Sequence, residues 1–166
     1  MQIEILDKDN ENLTKRVKEL GFDGVYTIAS NKVSDAEKKS GFTMSAYSGP
    51  DYEQIIRKGK ADVITDLEKA NFYLDKGLCY KIKESSSFVM FKFSSLISSE
   101  NIFAMYKNMM HNVHVCEEHG VNALFVSFAS DNDGIKSPMQ LFSFAYQFGY
   151  SEARFKKAVL EFAGRF

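Results

Sequence analysis

The sequence predicts an α/β protein with mainly parallel strands, and one repeated pattern carries that prediction. In residues 17–28, 56–65 and 116–127, a helical segment ends at a glycine, an aspartate or asparagine follows, and a short apolar run comes next. Glycine suits the left-handed position after a helix because it has no Cβ atom. Apolar runs without alternation are typical of strands buried on both faces. Three such junctions indicate a sheet covered by helices.

The apolar runs predict six strands, each followed by helical sequence: residues 3–6, 25–28, 42–47, 62–65, 88–93 and 123–128. Helices are predicted over residues 10–20, 50–58, 74–84, 100–119, 138–148 and 152–162. Pro50 is expected in the first helical turn, and Ser98 or Ser99 is expected to cap the longest helix. Ser137 and Gln140 have the spacing of a capping box, directly around a proline at the first helical position.

Steady alternation of strands and helices fits either a barrel or an open doubly wound sheet. The glycine-rich motifs G-x-G-x-x-G and G-x-x-x-x-G-K-[ST] are absent from the sequence, so nothing favours a nucleotide-binding sheet. A full eight-stranded barrel typically needs roughly 200 residues or more, and this chain has 166. We therefore predict a reduced TIM-barrel-like β/α fold that forms one domain over residues 1–166.

Composition and charge limit the classes of function. Hydrophobic residues make up 45% of the chain and charged residues 26%, as in ordinary soluble proteins. The net charge of −1 excludes a global attraction to nucleic acid or an anionic membrane, so any polyanion has to meet a local patch. No stretch approaches membrane-spanning length, and the first residues lack the pattern of a secretory signal. Cys116 lies on an apolar helical stripe, so we expect it to be a buried thiol. Together these features predict a cytoplasmic protein without membrane contact.

The three histidines do not predict a metal site. His111, His114 and His119 all lie on one predicted helix, away from the strand ends where β/α barrels hold their metals. The motifs H-E-x-x-H and paired cysteines are absent from the sequence. We therefore expect no metal and no cofactor in this chain.

The last predicted strand ends in polar residues that do not specify a reaction. Ser127 and Ser130 lack the G-x-S-x-G motif of an activated nucleophile, and Asp131 and Asp133 stand in a D-N-D-G loop, where such residues form turns. Three further acids flank an earlier strand end: Asp62, Asp66 and Glu68. We expect no catalytic residue among them.

Two groups of basic residues are candidates for contact with phosphate. The first lies around residues 88–93 and the second on the polar side of the last helix: Lys81, Lys83 and Lys92, then Arg154, Lys156 and Lys157. Binding to a nucleic-acid backbone needs only a handful of such residues and weakens with salt. A solvated helix face is the alternative explanation for the same residues.

Four segments carry a family resemblance. The chain begins with I-E-I-L-D, and residues 75–98 join a glycine-leucine pair and a helix to a strand ending in F-K-F-S-S. Residues 101–130 form a long helix and a strand ending in serines, and residues 135–159 form a loop, a proline-initiated helix and a terminal helix. Together they resemble archaeal ribonuclease P protein component 3, the homologue of the human thirty-kilodalton subunit of that enzyme.

The resemblance implies a β/α-barrel scaffold without a catalytic site. In that family the RNA subunit removes the 5′ leader from precursor tRNA, and the protein pairs with component 2 to help the RNA hold its active conformation. The family's strand-end serines fall on Ser94, Ser127 and Ser130, and its helix-opening proline falls on Pro138. The sequence departs from the family pattern at Cys79 (for asparagine), Lys136 (for arginine), Gln140 (for an acid) and residues 148–150 (a shortened strand).

We therefore predict a non-catalytic protein subunit of ribonuclease P, with the chemistry in the RNA and magnesium bound there. Its expected partners are the ribonuclease P RNA and component 2, with precursor tRNA contacted indirectly. The predicted RNA-binding residues are Lys81, Lys83, Lys92, Ser94, Ser127, Ser130, Lys136, Arg154, Lys156 and Lys157. Two alternatives stay open: a small β/α-barrel metal-dependent phosphoesterase, and a protein-interaction module that uses exposed aromatics and methionines of residues 105–110.

Overall fold

The computed structural model describes residues 3–6, 10–29, 32–35 and 44–165. Its elements in chain order are β1 (Ile3–Leu6), α1 (Glu11–Glu19), β2 (Gly24–Ala29), β3 (Lys32–Asp35), β4 (Met44–Tyr47), α2 (Tyr52–Arg57), β5 (Val63–Thr65), α3 (Lys76–Glu84), β6 (Phe88–Lys92), α4 (Phe93–Ile97), α5 (Ile102–His119), β7 (Ala123–Val126), α6 (Pro138–Gln147) and α7 (Glu152–Ala163). Within these described ranges, no helix is both long and apolar enough to cross a membrane.

The strands form one seven-stranded sheet in chain order, from β1 to β7. Neighbouring strands are parallel except at β3, which runs antiparallel to both β2 and β4. The predicted α/β fold class with mainly parallel strands is confirmed. The prediction that helical sequence follows every strand is wrong at β2, because β3 follows it. The sequence of β3, K-V-S-D, contains one apolar residue, so a search for apolar runs could not detect it.

The start of α5 differs from the prediction because a different side chain caps it. Asn101, and not Ser98 or Ser99, is the capping residue, and its Oδ1 accepts the N–H of Ala104 at 3.0 Å. Ser98 instead ends α4, a short helix that the sequence analysis missed. Because this helix begins at Phe93, strand β6 ends at Lys92, one residue before the end of the predicted strand 88–93.

Other helix and strand boundaries give mixed outcomes. Pro50 precedes Asp51, the N-cap residue of α2, so its predicted place in the first helical turn is wrong. The predicted strand 42–47 begins at Met44 in the described residues, and residues 42 and 43 lie outside them. The capping box predicted for Ser137 and Gln140 is confirmed, with each side chain bonded to the other's backbone N–H.

The glycine-ended junctions are confirmed. Gly21, Gly59 and Gly120 have φ angles of 91°, 58° and 72°, in the left-handed region that favours glycine. The acid that follows the second glycine also has a structural role. The Oδ2 atom of Asp62 accepts the N–H of Ser45 at 2.8 Å and its hydroxyl at 2.7 Å. This carboxylate therefore joins the start of β5 to β4.

Aromatic rings connect the last helix to distant strands. Phe162 of α7 packs edge-to-face against Tyr26 of β2 and Phe88 of β6, with ring centroids 5.1 Å and 5.4 Å apart. Phe155 of the same helix contacts Phe125 of β7. Such pairs add to the hydrophobic gain from burying the rings. The helix therefore packs against strands from both halves of the sheet.

A second, smaller core joins the two ends of the chain. Apolar residues of β1, α1 and β2 pack against residues that follow β7: Leu6, Leu13, Val17, Phe22 and Val25, with Ala129, Ile135 and Leu141. Burying this surface draws the first β/α/β unit against the loop and helix after the last strand.

Glu4 links β1 directly to the end of β7. Its side chain is fully buried, and its carboxylate accepts the N–H of Ser127 at 2.9 Å and the Ser127 hydroxyl at 2.5 Å. The N–H of Ile5 also donates to it, at 2.8 Å. Ser127 Oγ in turn accepts the backbone N–H of Lys136 at 2.8 Å. One buried carboxylate thus connects the first strand, the last strand and the loop before α6.

We expect Glu4→Ala to lower the free energy of unfolding by about 2–4 kcal/mol, because it leaves buried donors of Ser127 without an acceptor and opens a cavity. Urea unfolding followed by circular dichroism measures this loss. Glu4→Gln is the matched control, since it keeps the volume and one acceptor oxygen and should lose less. Equal stability of the alanine variant and the unmodified protein would contradict the role assigned to Glu4.

Candidate functional site

Polar side chains from neighbouring strands meet where those strands end. The strands β5, β6 and β7 are parallel, so their carboxyl ends lie on one side of the sheet. This is where β/α folds place their ligands. Asp66 follows β5, Lys92 ends β6, and Ser127 follows β7. These strand ends are therefore the candidate position of a functional site.

Lys92 and Asp66 form a buried ion pair. The Lys92 Nζ atom lies 2.7 Å from Asp66 Oδ2, and the side chains are only 6% and 12% exposed. The same ammonium lies 3.9 Å from the centre of the Phe128 ring. Burial opposes ionisation of Asp66, but the charge and hydrogen bond of Lys92 hold the pKa of this carboxyl below its usual value. The other carboxylate oxygen of Asp66 lies 3.4 Å from the half-exposed Lys69 ammonium and accepts no hydrogen bond from the described residues. Removing one partner of the buried pair would leave a buried charge.

Glu68 is a buried acid without a hydrogen-bond partner. Its side chain lies next to the ion pair, and neither carboxylate oxygen accepts a hydrogen bond from another residue of the described chain. Burial, aided by the negative charge of Asp66, raises the pKa of the Glu68 carboxyl to about 7, against the opposing effects of its own backbone N–H and of Lys92 and Lys69. An isolated buried carboxylate is costly when ionised, so near neutral pH this group holds a proton in part of the molecules.

Two residues beside Lys92 have a strained backbone. Asp66 has φ of 61° and Phe128 has φ of 51°. Both lie in the left-handed region, which is uncommon for residues other than glycine and costs on the order of 1–3 kcal/mol. Each of the two side chains contacts the Lys92 ammonium, so the ion pair and the ring contact offset part of that strain.

Five predicted RNA-binding residues lie at the carboxyl ends of the strands. Lys92 is buried in its ion pair, and Ser127 is buried on Glu4. Ser94 is half-buried, and its N–H donates to the carbonyl of Ser127 at 3.1 Å. Ser130 is exposed, and Lys136 is half-buried with its Nζ atom 5.1 Å from the centre of a phenylalanine ring. Two of the five therefore face the protein interior.

Three other predicted residues are paired with an acid on their own helix: Lys81 with Glu84 at 2.7 Å, Lys156 with Glu152 at 2.5 Å, and Lys157 with Glu161 at 3.5 Å. All six side chains are exposed, and pairs of this kind contribute little to stability. Their positive charge is locally balanced by the neighbouring carboxylates.

Lys83 and Arg154 come together although they lie on different helices. A Cβ atom at Gly120 would lie 3.1 Å from the Arg154 guanidinium and 3.5 Å from Lys83 Nζ. Arg154 also lies 3.5 Å from a carboxylate oxygen of Glu117. Gly120 precedes β7, so this pair of cations lies at the amino ends of the strands. The predicted basic residues thus divide between the two ends of the sheet.

The histidines and cysteines form no metal-binding group in the described part of the chain. His111 Nε2 lies 3.0 Å from the carbonyl oxygen of Leu74, which attaches α5 to the segment before α3. Cys79 and Cys116 are buried and free, and their side chains share a hydrogen bond. The prediction of a buried Cys116 thiol is confirmed.

Neither the ion pair of Asp66 and Lys92 nor the bridge from Glu4 is predicted from the sequence. Each pairing joins residues distant in sequence, so spacing along the chain gives no signal for it. One signal was present, because Glu4 interrupts an otherwise apolar strand, I-E-I-L. A charged residue inside a fully buried strand needs a partner, and a strand-end serine such as Ser127 is a suitable one.

Comparison with known proteins gives a structural match. No family model matches the sequence, and no curated protein matches it. The fold is similar to that of a chain in the cryo-EM structure of archaeal ribonuclease P with mature tRNA. The two have a TM-score of 0.70 and 14% sequence identity, and the match covers 99% of this chain and 89% of that chain. At this identity the likeness establishes a shared fold over nearly the whole chain.

We expect Glu68→Gln to change how stability depends on pH. The pKa of Glu68 is about 7 in the folded protein and 4.5 as its ordinary value, so the folded state binds the proton more tightly than the unfolded state. This stabilisation is complete below pH 4.5 and is lost as the pH rises through 7, by about 3 kcal/mol in all. The glutamine variant should therefore gain stability relative to the unmodified protein when the pH is raised from 5 to 8.

Urea unfolding at the two pH values measures this effect. Glu118→Gln is the control, since it removes an exposed carboxylate from α5. If the stability difference between the Glu68 variant and the unmodified protein is the same at pH 5 and pH 8, then Glu68 is ionised in the folded and in the unfolded protein over this pH range.

Proposed function

We propose that this chain is a protein subunit of ribonuclease P that corresponds to component 3 and supports the catalytic RNA without performing chemistry itself. The observation that carries the proposal is the full-length match in fold to a chain of the archaeal ribonuclease P complex with tRNA. The sequence segments that resemble component 3 contain strand β1 and, between residues 75 and 159, strands β6 and β7 and most of helices α3 to α7.

The arrangement of the strand ends supports a scaffold role. Lys92 and Asp66 neutralise each other in a buried pair, and Ser127 donates its hydroxyl to Glu4. These groups hold strands and loops together. The polar residues that an enzyme would direct at a substrate here stabilise the fold, and this accounts for the polar strand end without assigning it a reaction.

Contact with RNA requires local positive charge, because the net charge of the chain is −1. Lys83 is exposed and is bonded to no acid within the described residues, and Arg154 shares its place beside Gly120. Glu117 balances part of the Arg154 charge, and Lys83 adds a second positive charge that a phosphate between the two side chains would neutralise. This pair is therefore the best placed of the predicted basic residues for a backbone phosphate.

Contact with a second protein is supported by the first half of α5. The apolar residues of this helix are only partly buried: Met109 and Val113 lie in the core. Ile102, Phe103 and Met110 are 55%, 79% and 44% exposed. Apolar side chains grouped on one exposed helix face are typical of a protein interface. In the proposed complex this face meets component 2, while precursor tRNA is contacted through the RNA, and a cytoplasmic location is expected.

We expect the protein to raise the rate of 5′-leader removal from precursor tRNA at limiting magnesium. The assay combines the cognate catalytic RNA and component 2 with and without this chain. Stimulation that needs the RNA and both proteins is the expected result, because a scaffold acts only through the RNA. Leader removal that is equally fast without this chain, with RNA and partner shown to be competent, would contradict the proposal.

We expect Lys83→Ala to weaken binding of ribonuclease P RNA and to lower the slope of log affinity against log salt by about 1, because one phosphate contact is lost. Filter binding over a series of salt concentrations measures both quantities. Lys107→Ala is the control, since it removes an exposed lysine of α5. An unchanged salt slope for the Lys83 variant would show that Lys83 does not contact a phosphate of the RNA.

A further inference from the structure

A groove beside the carboxyl ends of the strands combines an aromatic wall, a cation and uncommitted polar groups. It has a volume of about 470 Å³ and lies between the start of α4 and one face of α6. This volume is within the roughly 300–1,000 Å³ of small-ligand sites. Phe93 and Phe144 form its wall, with ring centroids 5.1 Å apart and an interplanar angle of 79°. Met139, 78% exposed, forms part of the rim.

The cation of this groove has no acid beside it. Lys136 is its single charged lining residue, and no carboxylate lines it. Three other surface grooves each contain a carboxylate together with cations: Asp51 and Glu53 with Arg57, Glu84 with Arg57, Lys58 and Lys81, and Glu152 with Lys156. The groove between α4 and α6 therefore offers an anion a positive charge without a competing carboxylate in its lining.

The cation is held in place from two sides. The backbone N–H of Lys136 donates to Ser127 Oγ, which is itself fixed by Glu4. The Lys136 ammonium lies over the Phe93 ring at 5.1 Å from its centre. A cation in this position is attracted by the ring and stays at the mouth of the groove. The buried network from β1 to β7 thus positions the charge.

Polar groups of α6 face the same groove. Gln140, Ser143 and Gln147 recur at spacings of three and four residues, so they lie on one face of the helix. The Oε1 atom of Gln140 is used in the capping box, but its amide N–H groups are left over. The side chains of Ser143 and Gln147 make no hydrogen bond within the described residues. Amides and hydroxyls of this kind bind the edges of nucleobases.

We propose that this groove binds one unpaired nucleotide of an RNA. The base packs against Phe93 of the wall and Met139 of the rim. Its edge bonds to Ser143 and Gln147, and the adjoining phosphate meets Lys136. A base inside a duplex cannot enter such a groove, because both its faces and its pairing edge are occupied. The site therefore prefers single-stranded RNA over duplex RNA. This inference rests on the proposed function, which supplies the RNA.

The test compares two labelled RNA probes by fluorescence anisotropy: a short single strand of mixed sequence and the same strand annealed to its complement. Two variants remove the groove's contacts, Lys136→Ala and the double variant Ser143→Ala with Gln147→Ala. The double variant keeps every charge, so its effect does not arise from a change in net charge. Lys60→Ala is the matched control, since it removes an exposed lysine before β5.

We expect each groove variant to bind the single strand about tenfold more weakly, since one base contact or one phosphate contact is worth a factor of that order. The double variant should bind the duplex as the unmodified protein does, and Lys60→Ala should change neither affinity more than twofold. Unchanged urea midpoints show that the variants are folded. Single-strand binding that is equal in the double variant and the unmodified protein overturns the proposal.

Two further outcomes are distinguishable. If the groove variants bind RNA normally but no longer associate with component 2, the groove is a protein contact and the nucleotide proposal is wrong. If the unmodified protein fails to support precursor-tRNA cleavage, the proposed function fails, and the anisotropy experiment still decides whether the groove binds single-stranded RNA.

Discussion

The buried carboxylate of Glu4 is the interaction on which most of this structure depends. It lies in the first strand and accepts both the backbone N–H and the hydroxyl of Ser127 at the end of the last strand. Burial raises the pKa of the Glu4 carboxyl to about 7, against the opposing hydrogen bonds from Ser127 and Ile5. A polar group can be kept in such a place only if its hydrogen bonds are made. Glu4 and Ser127 therefore require each other, and together they fix the loop that presents Lys136.

The ends of the strands show how a β/α framework can carry polar groups without directing them at a substrate. Lys92 is surrounded by Asp66 and the Phe128 ring, and both of these residues have a left-handed backbone. In β/α enzymes the same positions hold catalytic groups that face an open pocket. Here the ion pair is shielded from water, and Glu68 beside it holds a proton in part of the molecules. The paired polar groups at this end therefore stabilise the fold, as the proposed scaffold role requires.

Positive charge available to RNA is consequently limited to a few positions. Most lysines of the predicted interface are balanced by an acid on the same helix or are buried, whereas Lys83 and Lys136, at opposite ends of the sheet, have no acid paired with them among the described residues. The first position is the proposed contact for a phosphate of the backbone. The second adds an aromatic wall and amide groups, on which the proposed preference for an unpaired base rests. With a net charge of −1 the chain has no general field to attract RNA, so the proposed contacts are confined to these positions.

The sequence by itself determined the local elements and the class of fold. Gly21, Gly59 and Gly120 marked three helix ends because only glycine adopts their backbone conformation without strain, and Ser137 with Gln140 marked the start of α6 by a bond pattern confined to four residues. Strand β3 was missed because its pairing to β2 and β4, and not its own hydrophobicity, keeps it in the sheet. Only the tertiary structure decided that Glu4 meets Ser127, that Asp66 meets Lys92, and that Lys83 and Arg154 both lie beside Gly120. These contacts join side chains far apart in the chain, and they follow from the order and register of the strands and helices, which short-range propensity does not specify.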